Sequence, residues 1–459
     1  MNLNIVIMAA GRGTRMKSAR PKALQVLGGQ PMLLRLLDTV STLNPQSIVV
    51  VTGFGAQEVQ THAQVNPVVT CVLQEPQLGT GHAVQQAVPL LPDDGVTVIL
   101  NSDSPLIEAE TIVGLVSACA GKNLALLTVE LHNPTGYGRI IRTNDGKVMG
   151  IVEEKDATDV QQAICEVNTG FMAVPTANLK QWLARLDNRN AQQEYYLTDI
   201  IAMAVHDGVQ VVGIVTDDDA QVAGVNSPAQ LAVLERAYQL RQAEKLMETG
   251  VRMADPARFD VRGRLQCGQD VEIDVNCIFK GRVTLGNGVS IGAHCVIANA
   301  VIDEGAVIHP FTHIDGGNVG VQVGAGAMVG PYARLRPGAK LDTDVHVGNF
   351  VEIKNAHLAA GAKANHLSYV GDAEVGTKTN IGAGTITANY DGVNKFKTTI
   401  GAEVRVGSNV VLVAPVTLGE RSTIAAGSVI TKDVPQKSLG LAREHQRNVP
   451  NWKRPEEKG

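Results

Sequence analysis

The groups best suited to chemistry near the start of the chain are a glycine-rich loop, Ala9-Ala10-Gly11-Arg12-Gly13-Thr14-Arg15-Met16, and the cation that follows in Arg20-Pro21-Lys22. Glycines let backbone N–H groups approach phosphate oxygens, and Arg15 and Lys22 add charge where several negative oxygens must be held. Neither common phosphate loop fits. A P-loop needs Gly-Lys-Ser or Gly-Lys-Thr after its first glycine, and a dinucleotide fingerprint needs glycine where Met16 stands. Asp103 follows the apolar run Val96 to Leu100. A carboxylate at the end of a central strand suits Mg²⁺, a hard ion that takes oxygen ligands and keeps several waters.

Residues 1–226 alternate short aliphatic runs (Leu3 to Met8, Ser47 to Val51, Val69 to Leu73, Val96 to Leu100, Leu124 to Val129) with helical patterns. That alternation predicts a mostly parallel, Rossmann-like α/β sheet, with ligands beyond the carboxyl ends of its strands. Ser227-Pro228 opens a helical arm spanning 227–250, with Ser at the cap, Pro in the first turn and Gly250 at the end.

From 251 to 441 the pattern changes. Ile400, Val406, Leu412, Leu418, Ile424 and Ile430 recur every sixth residue, as do Val323 through Ile353 and Leu285, Ile291 and Ile297. No helix or single strand buries a period of six, whereas a coil with three flat six-residue faces does. The expectation is a parallel β-helix of hexapeptide repeats, about nine coils between Leu265 and Lys432 and about 45 Å long. The phase fails at Ala364 to Asp372 and at Thr387 to Lys397, both rich in polar groups. Residues 442–459 form a tail containing Arg447, Trp452, Lys453 and Arg454, which either orders over a neighbour's cofactor or stays solvated.

The loop Gly11-Arg12-Gly13-Thr14-Arg15-Met16 with Pro21-Lys22 resembles the first loop of the sugar nucleotidyltransferases. The stretch from Gln74 to Ala83 is similar to that family's base-recognition segment, in which Gln74, Gly79 and Thr80 read a pyrimidine edge. His82 there suits a structural role at a helix start, with catalysis as the alternative. Gly136 to Ile140, Val152-Glu153, Glu166 to Gly170 and Gly224-Val225-Asn226 match further family stretches. By this resemblance UTP and UDP-N-acetylglucosamine contact Ala9, Ala10, Gly11, Lys22, Gln74, Gly79, Thr80, Asn101, Asp103, Gly138, Glu153, Asn168 and Asn226. Asp103 and Asn226 are the Mg²⁺ ligands, and Arg15 and Lys22 are catalytic. Asn101 and Ser102 depart from the family pattern, which places Tyr-Gly before the aspartate. For Glu194 to Asp199, packing at a helix start and ligand contact both remain open.

Taken with the His366 segment and the loop Asn389-Tyr390-Asp391-Gly392, nearly the whole chain resembles the bifunctional enzymes that acetylate glucosamine-1-phosphate and uridylylate the product. UDP-N-acetylglucosamine, their product, is a precursor of bacterial envelope polysaccharides. The resemblance implies His366 as the general base of acetyl transfer, a choice over His346 and His357 that the repeat does not make. It implies Arg336, Lys354, Tyr369 and Asn380 as the glucosamine-1-phosphate site, with Glu352 and Asn389 near the amine. Acetyl-CoA falls to Ala383, Asn389, Tyr390, Ser408, Ala426 and Arg443. A homotrimer and a left-handed coil are implied as well. The alternative is a single-activity sugar-phosphate nucleotidyltransferase with a regulatory β-helix.

Composition narrows the rest. A chain of 459 residues exceeds the ~250–300 at which single cores stop growing, so at least two domains are expected. The formal charge of −5 argues against nucleic acid and anionic membranes as partners. No apolar run reaches the ~18 residues of a membrane span. The six cysteines form no Cys-x-x-Cys pair, so structural zinc and a disulfide framework are not expected, and a reducing cytoplasm is.

Overall fold

The computed structural model describes residues 2–452 and divides into two compact units, Met1–Tyr238 and Gln239–Gly459. Lys453 and Arg454 of the tail lie outside the described residues.

The first unit is built on a sheet of β1 (Leu3–Ala9), β2 (Ser47–Thr52), β3 (Val69–Leu73), β4 (Val96–Asn101), β5 (Leu124–Glu130), β6 (Arg139–Arg142), β7 (Val148–Val152), β8 (Glu166–Pro175) and β9 (Val211–Thr216). Its main row runs β9-β5-β8-β4-β1-β2-β3, with the β6–β7 hairpin joined to β8. β8 runs antiparallel to β4 and β5, so the sheet is mixed, while β1 lies parallel to both β2 and β4. Alternation along β1 fills both faces. Ile5 and Ile7 pack with Leu33, Leu36, Ile112 and Leu115, and Val6 packs with Ala83, Val84, Leu179 and Trp182. The order places the carboxyl ends of β1 and β4 side by side, with Met8 opposite Asn101.

The helix Pro228–Glu248 crosses the division between the units. Ser227 Oγ caps it by accepting from Gln230 N at 3.2 Å. Its apolar stripe is occupied within the first unit: Leu234 and Tyr238 are buried with Met16, Leu27, Met32 and Leu106, and the Arg35 guanidinium lies 4.0 Å over the Tyr238 ring.

In the second unit, strands stack in parallel rungs along three faces, and one face carries eleven of them, from Arg252–Met253 to Leu439–Gly440. Ten spacings of ~4.8 Å make this face about 48 Å long. The coils therefore begin before Leu265. Their first rungs keep the six-residue pattern in Val261, Cys267, Ile273, Phe279 and Leu285, with a cysteine and a phenylalanine standing among the aliphatics. The inward row is buried throughout, from Ile273 through Leu285, Val323, Ile353, Ile381 and Ile400 to Ile430. Each such side chain contributes about 1.5–3 kcal/mol by leaving water.

The two phase breaks differ in kind. Around Ala364 the inward row steps Ile353, Leu358, Ala364, Val370, Val375: two faces have five positions instead of six, and nothing is inserted. The strands there stay paired, His357 with Glu374 and Glu352 with Tyr369. Between Thr387 and Ile400 the step is thirteen positions, a true insertion. Thr387 holds the inward place beneath it, its Oγ1 bonded to both the N–H and the C=O of Gly371 at 2.8 and 2.9 Å. A further lengthening, from Ile314 to Val323, had no counterpart among the expected breaks.

Candidate functional site

Two cavities open at the carboxyl ends of β1 and β4 and share Asn101 and Asp103. The larger, about 450 Å³, is lined by Ala9, Ala10, Gly11, Lys22, Gln74, Gly79 and Thr80. The smaller, about 280 Å³, is lined by Arg15, Gly138, Glu153, Asn168 and Asn226. Residues expected from sequence to hold nucleotide and sugar thus gather in adjoining spaces. Gln77, which sequence reasoning did not select for the site, also lines the larger cavity, as does Glu194, for which packing and ligand contact were both open.

Local conformation explains the shape. A Cβ on Gly11 would meet nothing within 4 Å, so the loop faces open space, whereas at Gly13, φ +59°, an added Cβ would fall 2.8 Å from Lys22 Cβ. Gln77 Nε2 donates to Ala10 C=O at 2.7 Å and fastens the loop from the next strand's end. Gln74 Nε2 donates to Gly79 C=O at 2.9 Å and lies 3.3 Å from His82 Nδ1, so His82 helps hold the segment from Gln74 to Ala83. The Glu194 to Asp199 stretch packs against the segment after β3 and reaches the cavity edge. Tyr195 exchanges backbone hydrogen bonds with Leu78 and Gly81 at 2.8 Å, while Glu194 reaches the cavity.

Lys22 Nζ forms an ion pair with Asp103 Oδ2 and donates to Asn226 Oδ1 at 2.7 Å. Two hard oxygens therefore converge on one positive charge. Asn101, one of the two departures from the family pattern, donates from Nδ2 to Thr169 C=O at 3.2 Å. In the smaller cavity burial lifts the Glu153 carboxyl above its ordinary value, against a 2.9 Å hydrogen bond from Thr198 Oγ1.

In the second unit His366 is exposed at a corner, its Nδ1 2.8 Å from Asn349 Oδ1 on the preceding rung. With the amide oxygen as acceptor, Nδ1 carries the hydrogen and Nε2 keeps its lone pair for a proton. On the next face Arg334, Glu352 and Tyr369 stand in register, and Lys354 is paired with Gly371. Arg336 donates to Glu352 Oε1 at 2.8 Å. A Cβ at 371 would fall 2.3 Å from the Tyr369 hydroxyl, so glycine there gives the ring its place.

Asn380 is not brought to this group. It pairs with Lys363 on the other face flanking the His366 corner, and outward side chains on two faces of a prism diverge.

The residues expected at acetyl-CoA follow the same corner upward. Asn409 N–H donates to Ala383 C=O at 2.7 Å, Gly427 N–H to Ser408 C=O at 2.9 Å, and Arg443 to Ala426 C=O at 2.8 Å. Lower down, the corner carries His294, Phe311, Tyr332 and Phe350, stacked at 4.8 to 5.4 Å between centroids. Beyond Leu367 the positive-φ positions become Gly384, Asn409 and Gly427, which clear a path where the aromatics would stand. Asn389 donates to the Asp372 carboxylate, and Tyr390 is 60% exposed at the tip of the inserted loop.

The MobA-like NTP transferase domain family matches residues 5–144, and the bacterial transferase hexapeptide family (six repeats) matches 397–432. The bifunctional protein GlmU of Methylibium petroleiphilum is 62% identical over 462 residues, covering 99% of this chain and 100% of its own length. Those of Paracidovorax citrulli and Azoarcus sp. are 62% and 53% identical, covering 99% of this chain and 98% and 99% of their own lengths.

Proposed function

The chain belongs to the family of the bifunctional protein GlmU, and on that premise we propose that it makes UDP-N-acetylglucosamine in two steps on its two units. In the first, the amine of glucosamine-1-phosphate attacks the thioester carbonyl of acetyl-CoA, His366 Nε2 takes the amine proton, and CoA leaves as the thiol. General-base help of this kind is worth about 10²- to 10⁴-fold. Arg336, Lys354 and Tyr369 hold the phosphosugar. Transfer is direct: burial pushes the Cys267 and Cys277 thiols up to about 12 and Cys295 up to about 11, leaving them without thiolate character.

In the second step the phosphate oxygen of N-acetylglucosamine-1-phosphate attacks the α-phosphorus of UTP, and pyrophosphate leaves. Arg15 and Lys22 neutralise the oxygens, Gln74, Gly79 and Thr80 orient the base, and Gly138, Glu153 and Asn168 orient the sugar. The oxygens of Asp103 and Asn226, gathered about the Lys22 ammonium, fit a Mg²⁺ site, and the ion would supply charge neutralisation at the phosphates.

A homotrimer belongs to the same reading. Its support is that Asn380 faces away from Arg336, Lys354 and Tyr369, so a complete phosphosugar pocket needs a neighbouring subunit. Six free cysteines, and no helix long and apolar enough to cross a membrane among the described residues, fit a cytoplasmic enzyme.

The observation that carries the proposal is the joining, in one chain, of the phosphate-loop cavity to a β-helix bearing His366 at its corner. The test is a pair of variants. His366→Ala is expected to abolish CoA release and leave pyrophosphate release intact, and Arg15→Ala to do the reverse. Acetyl transfer surviving both changes overturns the role of His366.

A further inference from the structure

A chain of charges crosses three rungs of the β-helix and ends at the base of the inserted loop. His357 directs Nδ1 at Glu374 Oε2, 3.0 Å away, and Nε2 at Asp342 Oδ2, 2.9 Å away. Glu374 uses its other oxygen to accept from Lys397 Nζ at 2.9 Å. Lys397 is where the loop rejoins the coil, immediately before the strand Thr398–Ile400.

Ionised carboxylates only accept hydrogen bonds, so a ring with a carboxylate oxygen at each nitrogen is satisfied only when both nitrogens carry hydrogen. Burial works against ionisation of Glu374, yet the hydrogen bonds from Lys397 and His357 hold its carboxyl below the usual value. The remaining charge beside the ring is Lys340, the register partner of His357 on the preceding strand.

The loop's entrance is tied separately, by Asn389 to Asp372, whose Oδ1 accepts from Asn355 Nδ2 at 2.6 Å. Between the two feet Tyr390 bridges to Lys395, and Phe396 N–H donates to Asn389 C=O at 2.9 Å. The loop is thus a short hairpin, and shifting its exit shifts Asn389 and Tyr390.

We propose that His357, as the imidazolium, is a positioning residue for acetyl transfer: by bridging Asp342 and Glu374 it anchors Lys397 and so sets the loop that carries Asn389 and Tyr390. This rests on the assignment of that loop to acetyl-CoA. His357 acts through Glu374 and Lys397, so its loss changes acetyl-CoA binding and not the proton transfer at His366.

The experiment uses the full-length protein with His357→Leu and His357→Arg. His357→Leu is expected to raise the KM for acetyl-CoA about fivefold, the scale of losing two partly exposed ion pairs, with kcat and uridylyl transfer within about twofold. His357→Arg can also donate to both carboxylates, so it is expected to keep the low KM. Amide hydrogen exchange across 389–397 is expected to quicken in the Leu variant and not in the Arg variant. An unchanged KM and unchanged exchange in His357→Leu, or an Arg variant as impaired as the Leu variant, overturns the positioning role. If the native protein transfers no acetyl group, the acetyl-CoA assignment fails, and the exchange data alone then decide whether His357 anchors the loop.

Discussion

Lys22 Nζ donates to Asn226 Oδ1 at 2.7 Å across 204 residues of chain, while the same ammonium pairs with Asp103. The phosphate loop, the end of β4 and the segment before the long helix thereby meet at one charge. An ammonium there balances two oxygens that a divalent cation would also satisfy, so the lysine and the proposed Mg²⁺ site would be electrostatically coupled. A site of this kind stabilises phosphate negative charge by fixed groups rather than by reorganising water.

Lys22→Ala is expected to cut uridylyl transfer by about 10²-fold or more, the scale of removing one preorganised charge from a developing anion. Acetyl transfer stays unchanged. Asn226→Ala is expected instead to raise the Mg²⁺ concentration for half-maximal pyrophosphate release. A Mg²⁺ titration of each variant checks both, and equal behaviour of the two refutes their separate roles.

Asn349 Oδ1 lies 2.8 Å from His366 Nδ1 and holds the angle of the ring. Asn349→Ala is expected to lower kcat for acetyl transfer about tenfold with KM unaltered, a loss of aim in the base rather than of binding. Steady-state kinetics of CoA release measures the split.

Gly170 sits at φ +81°, and a Cβ there would lie 2.3 Å from Asn101 Nδ2. Gly170→Ala meets both a disfavoured backbone and a collision beside the two cavities. The expected loss is about 1–2 kcal/mol of stability from the backbone alone. Weaker UTP binding accompanies it, since Asn101 lines both spaces. Urea unfolding and nucleotide titration read the two effects.

Asp199 has its carboxyl raised to about 6 by burial, then by the negative charges of Asp187, Glu153 and Asp156. The folded state therefore holds the proton more tightly than the unfolded chain, whose carboxyl titrates near 4. Stability from this group is fully present below about pH 4 and is lost as pH rises through about 6. Asp199→Asn is thus expected to stabilise the first unit at pH 7 to 8 and to give no gain at pH 4. Because the side chain is half-exposed and begins a helix, whose N-terminus favours negative charge, the gain is about 1 kcal/mol. Thermal melts across pH decide it.

Much of the fold was legible because its signals are local. A coil that buries one aliphatic per face writes its period into the sequence, and Ile400 through Ile430 are all buried as that period requires. The phosphate loop was legible for a similar reason: Gly11 and Gly13 act through their own backbone. Legibility ended where coils changed length. The five-position steps after Ile353 and Val370 resembled an inserted segment, because a shortened face and an added loop disturb the phase alike. The first rungs were missed because two of their inward places are held by Cys267 and Phe279 rather than by aliphatics.

What the sequence alone determined, then, is the kind of surface at each stage of the chain: parallel strands ending in a glycine-rich anion loop, and stacked triangular rungs with one long insertion. Tertiary structure alone decided which distant groups meet. Asn226 reaches Lys22, His357 stands between Asp342 and Glu374, and Asn380 turns away from Arg336 and Lys354. The physical reason is range. Backbone conformation and burial period depend on neighbours a few residues apart, whereas charge pairing depends on distance in space, which only the packed sheet and the stacked coils define.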